Sequence, residues 1–173
     1  HSVACLVGVK NHVVSKVVMT YEVFDTKDGF APVGGHWAGK FVKMVDHGSE
    51  YGMREEICEG MSFLEEHASD LDINMMQVLK PYEHGSIVTS NLMSWMADSY
   101  KTEGYLENIA GEVPKGETEF EMEFIVEHDQ TPVLKAALDQ RKSTRETPSR
   151  TGTLISAMRN QFGGHKTISK KGE

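Results

Sequence analysis

From residue 39 onward, apolar positions recur at the three- and four-residue spacing of an α-helix, and with short breaks the pattern persists to residue 162. It predicts a long helix over residues 37–68 around which others pack, then 70–79 with Asp70 as N-cap and Pro81 as its breaker. A helix over 86–100 places Ile87, Leu92, Trp95 and Met96 at core spacing, and Met61, Met75, Met76 and Met93 read as further packing. Residues 103–119, with Gly104, Gly111, Pro114 and Gly116, form an irregular connection. Helices over 121–127, 131–145 and 150–162 follow, separated by turn residues at Asp129 and Pro148. Before residue 36 the pattern changes. Residues 3–9 and 30–33 read as short buried strands with a helix over 11–24 between them, one β-α-β unit closed by the Gly34-Gly35 turn. This divides the chain into residues 1–35, a helical body over 36–162, and a Gly-, Lys- and Ser-rich tail over 163–173, mobile unless a partner holds it.

Chemistry concentrates at the start of the long helix. Residues 39–52 read G-K-F-V-K-M-V-D-H-G-S-E-Y-G. At 3.6 residues per turn, Lys43, Asp46, His47, Glu50 and Arg54 share one face, and Phe41, Val45, Gly48 and Gly52 form a buried-looking face opposite. A solvated charged stripe has the same spacing. The hydrophobic neighbours and the two glycines favour a working face, on which an amine, an imidazole and a carboxylate within one turn can move protons on a bound substrate.

The composition narrows the classes. A chain of 173 residues with net charge −8 and a pI near 5.5 fits an acidic soluble enzyme and argues against nucleic-acid binding, which needs clustered Lys and Arg. Cys5 and Cys58 form no C-x-x-C, and no His/Cys cluster has metal-ligand spacing, so neither a disulfide framework nor a metal site is expected. No apolar run is long enough for a bilayer, and a reducing cytoplasm is the expected compartment. No G-x-G-x-x-G follows a strand, so the usual pyrophosphate cradle is absent from the sequence.

The 39–52 stretch resembles the catalytic helix of 6-phosphogluconate dehydrogenases, patterned G-A-G-H-F-V-K-M-V-H-N-G-I-E-Y-G, and the looser G-x-x-x-K-x-x-x-N signature of β-hydroxyacid dehydrogenases. Residues 156–165, S-A-M-R-N-Q-F-G-G-H, are similar to the C-terminal tail of the shorter, mostly bacterial and archaeal branch. H-G-S-I at 84–87, N-I-A-G at 108–111 and T-P-V-L-K-A-A-L at 131–138 occur in the family's order. The resemblance implies a mainly α fold: an all-helical domain like the C-terminal domain of that family, preceded by a β-α-β remnant of a Rossmann domain.

It also implies oxidation of 6-phosphogluconate with NADP or NAD, followed by decarboxylation to ribulose 5-phosphate, with no metal. The coenzyme would belong to a complete protein whose binding domain is largely absent here. Lys43 is implied as base and Glu50 as the acid that protonates the enediol carbon. Tyr51, Arg159 and His165 are implied as contacts to the substrate phosphate, His47 as a contact to substrate and nicotinamide, and His84 as a cap or pocket-lining residue. A homodimer with exchanged C-terminal tails is implied as well, Arg159 reaching the substrate of the neighbouring subunit. This chain departs from the pattern in having Asp46-His47 for His-Asn, Lys40 for His, and Thr89 and Glu119 where arginines are common. A catalytically inactive helical dimerisation or regulatory relative is the alternative.

Overall fold

The computed structural model describes residues 5–8 and 30–170. The chain divides into two compact units, His1–Ser49 and Glu50–Glu173. The division falls inside the long helix rather than at residue 35.

In the first unit, β1 (Cys5–Gly8) pairs in parallel with β2 (Phe30–Gly34), Cys5 opposite Phe30 and Leu6 opposite Ala31, with a register shift before Gly8. The strands agree with the expected β-α-β unit; the helix expected over 11–24 lies outside the described residues. After Gly34, whose φ of 148° suits a residue without a side chain, the chain turns through Trp37 at φ 76° into α1 (Ala38–Glu66). Phe41 and Val45 are exposed whereas Gly48 is buried and Gly52 half-buried, so the buried-looking face predicted for this part of α1 is buried only at its glycines. Apolar spacing specifies a stripe but not the surface that covers it.

In the second unit, α1 continues, followed by α2 (Ala68–Leu71), α3 (Met75–His84), α4 (Asn91–Lys101), α5 (Glu119–His128), α6 (Pro132–Ser143) and α7 (Arg150–Gly163). Three helix starts are set by local chemistry. The side chains of Asn74, Ser90 and Ser149 accept hydrogen bonds from the backbone N–H of Gln77, Met93 and Gly152. These caps move two predicted boundaries. Asn74, not Asp70, opens α3, and Ser90 rather than Ser86 opens α4, which leaves Ile87 in a turn and fully exposed instead of in the core. Pro81 does not break α3: it removes only its own N–H bond to the preceding turn, and Gly85 and Ser86 donate to its carbonyl.

The core is built on α7. Eight successive residues, from Gly152 to Arg159, are buried, so this helix and not α1 is the one enclosed on all sides. Leu154, Ile155, Ala157 and Met158 pack with Cys58 and Met61 of α1, Leu79 of α3, Met93 and Met96 of α4, and Ile109 and Val113 of the 102–118 connection. Met75 and Trp95 pack against this cluster as expected, whereas Met76 is exposed. Tyr51, Met122, Leu134 and Leu138 form a smaller second cluster. Glu65 ties α1 to α4 and α7: it accepts from Arg150 Nε and Nη2, both at 2.6 Å, and from Tyr100 Oη at 2.7 Å. The fold is mostly helical, as expected, and no helix among the described residues is long and apolar enough to cross a membrane.

Candidate functional site

Lys43 and His47 lie on the part of α1 that belongs to the first unit. The Lys43 side chain is 41% exposed, and its Nζ donates to Asp46 Oδ2 at 2.5 Å. A carboxylate at this distance attracts a cation, whereas a base acts as the uncharged amine. His47 is half-buried. No group of three potential metal-binding side chains is assembled among the described residues.

The other site residues of α1 belong to the second unit, where an ionic cluster surrounds Tyr51. The stripe Tyr51, Arg54, Glu55, Cys58 has the i, i+3, i+4, i+7 spacing of a core face, so α1 carries a guanidinium and a carboxylate into the interior. Leu134, Ala137, Leu138 and Arg141 repeat the arrangement on α6. The two helices meet through these charges. Arg141 Nε donates to Glu55 Oε1 at 2.7 Å, its Nη2 lies 2.6 Å from the same oxygen, and its guanidinium sits 3.7 Å from the centre of the Tyr51 ring. Tyr51 Oη accepts a 3.4 Å bond from Thr118. Glu50 pairs with Arg54 one turn on, and the Arg54 guanidinium lies 5.4 Å from the centre of the Phe162 ring.

Arg159 enters the same cluster from α7. It is 6% exposed, and its Nη1 donates to the Pro114 carbonyl at 2.8 Å, against the backbone of Gly116. His165 follows the left-handed cap at Gly164, held by a 3.0 Å bond from Asn160 Nδ2 to its carbonyl. Burial lowers the pKa of Arg54 to about 9, assisted by Arg141 and Arg159, and lowers that of Arg159 as well. Partial burial, then the charges of Arg159 and Arg54, holds His165 below the ordinary imidazole value. For Glu55, burial raises the pKa against the opposing pull of Arg141. Glu119, wholly buried, is held by Arg145.

Glu50, Tyr51, Arg159 and His165 therefore belong to one electrostatic neighbourhood. His84 does not join them through any described contact: it is exposed at the end of α3, its Nδ1 2.9 Å from the Lys80 carbonyl, a cap on its own helix. The sequence reading missed Arg141 and Glu55. Their signal was a charge on an apolar stripe, a position where an ionisable side chain is buried only with a partner.

No protein-family model matches the chain. A Bacillus subtilis protein provisionally named 6-phosphogluconate dehydrogenase YqeC is 32% identical to it over 83% of this chain and 48% of its own length. The chain is related to the 6-phosphogluconate dehydrogenases. An NAD(+)-dependent, decarboxylating 6-phosphogluconate dehydrogenase of Haloferax volcanii is 27% identical over the same shares. The chain spans about half the length of these curated relatives. Against that family's pattern, Asp46 is a departure, and in the structure it is the group in contact with Lys43.

Proposed function

We propose that this chain is the substrate-binding and dimerisation part of an enzyme that oxidises 6-phosphogluconate and decarboxylates the product to ribulose 5-phosphate. The observation that carries this reading is the 32% identity to the Bacillus relative over 83% of this chain, supported by the motif resemblance of the stretches bearing Lys43, Glu50 and Tyr51 and bearing Arg159 and His165. NADP or NAD, when bound to the complete protein, would supply the hydride acceptor; the second is the one named for the Haloferax relative. No G-x-G-x-x-G follows a strand in this sequence, so no step is assigned to residues of this chain through the coenzyme.

Lys43, once released from Asp46, takes the hydroxyl proton as a free amine and returns a proton to the carbonyl oxygen during decarboxylation. Glu50 then protonates the enediol carbon. Arg159 and Tyr51 bind the phosphate with His165 beside them, a guanidinium being well matched to its oxygens. His47 contacts the substrate and the nicotinamide side. The active form is a homodimer with exchanged tails.

In the intact protein, Lys43→Met should lower turnover of 6-phosphogluconate by a factor of about 10² or more. Glu50→Gln should slow mainly the protonation after carbon dioxide is lost. An unchanged rate in Lys43→Met rejects the assignment of the base. The contact between Lys43 and Asp46 favours a second reading, a dimerisation or regulatory relative without turnover. An intact protein that binds the sugar phosphate yet reduces neither coenzyme, and gains no activity when Asp46→His is combined with His47→Asn, would establish it.

A further inference from the structure

Arg54 lies where α1, α6, α7 and the tail meet, and it is only 3% exposed. The charges that act on it come from every side: Glu50 and Glu55 on α1, Arg141 on α6, and Arg159 on α7, while His165 in the tail feels its charge in return and the neighbouring Cys58 thiol, its pKa raised by burial, stays neutral. Three guanidiniums in one neighbourhood need counter-ions or acceptors, and two are already supplied. Arg141 is bonded to Glu55, and Arg159 donates to the Pro114 carbonyl. Both Nε and Nη2 of Arg54 are buried without a hydrogen-bond partner, and the ion pair this side chain makes is with Glu50, whose carboxylate lies against Nη2. Glu50 is 27% exposed and lies at the border between this buried positive cluster and solvent.

We propose that Arg54 is the positioning residue of Glu50, fixing the orientation of its carboxyl group and keeping it ionised in the free protein. A buried cation stripped of its counter-ion is costly, so the pair holds until another anion or a change in solvation replaces Glu50. The significance for catalysis rests on the reading of Glu50 as an acid. A carboxylate cannot donate a proton, so Arg54 sets the pH range over which Glu50 is ready to act.

A carbon-13 titration of the intact protein labelled at its glutamate carboxyls tests this, with the Glu50 signal identified by its loss in Glu50→Gln. The wild-type midpoint should lie below the ordinary glutamate value of about 4.3. Arg54→Met keeps an unbranched chain beside Phe162 and should raise the midpoint by about one unit or more. Arg54→Lys should leave it low. A wild-type midpoint at or above the ordinary value overturns the proposal without requiring any variant to fold, and so does an unshifted midpoint in folded Arg54→Met. Turnover separates the two readings. If the titration shifts and the high-pH limb of kcat rises with it, Arg54 acts through Glu50; if the titration shifts and that limb stays in place, the pairing stands and Glu50 is not the acid.

Discussion

A histidine that loses its proton readily reports on its neighbours, and His165 is such a residue. Partial burial and the charges of Arg159 and Arg54 favour its neutral form in the folded chain. As pH falls, the unfolded chain takes up this proton first. The histidine's contribution to stability is therefore complete above the unfolded value of about 6.5 and declines as pH drops through it. Proton NMR should place the folded midpoint below that value, and Arg159→Gln should move it up; an unmoved midpoint would show that Arg159 is not the charge acting on it. At this scale the sequence was partly legible. Glu50, Tyr51, Arg159 and His165 stand out through their motifs, whereas Glu55 and Arg141 do not, because their pairing joins positions 86 residues apart. A one-dimensional pattern shows a charge on an apolar stripe but not the opposite charge that makes its burial tolerable.

Among the elements, α7 is the least tolerant of change. Its first turn meets the 102–118 connection backbone to backbone, with Ser149 donating to the Gly111 carbonyl at 3.1 Å, and a Cβ at Gly152 would lie 2.0 Å from that oxygen. Gly152→Ala should lower stability to urea by about 1–3 kcal/mol, since backbone has to move to make room. Gly60, in α1, has nothing within 4 Å of the same added atom. Gly60→Ala should raise stability by about 0.5–1 kcal/mol through helix propensity alone. Opposite signs from one chemical change separate crowding from propensity; a loss of stability in both variants would refute the account of Gly60. Apolar periodicity predicted most of the helices because amphipathic packing makes them. It missed their starts at Asn74 and Ser90, where one side-chain oxygen outweighs several residues of pattern, and it ranked α1 above α7 as the centre because length is visible in a sequence and enclosure is not.

For the molecule as a whole, the end of the chain has its own seat. Ala110 donates to the Ile168 carbonyl at 2.7 Å and Lys170 to the Asn108 carbonyl at 2.9 Å, an antiparallel bridge between the tail and the N-I-A-G segment. The tail read from sequence as loose unless a partner holds it, because glycine and lysine show no periodicity; the groove that receives it is formed by residues some 60 positions earlier, in the irregular connection. Backbone hydrogen bonds carry no label saying which copy of a chain supplies them, so an identical bridge forms whether the tail is a molecule's own or a neighbour's. The amide proton of Ala110 can tell the two apart. With tails exchanged, as proposed, its deuterium uptake should speed up on dilution as dimers part; with each tail seated on its own chain, the rate should be the same at every concentration. A single amide, followed through a dilution series, thus records whether the two copies are tied together or merely adjacent.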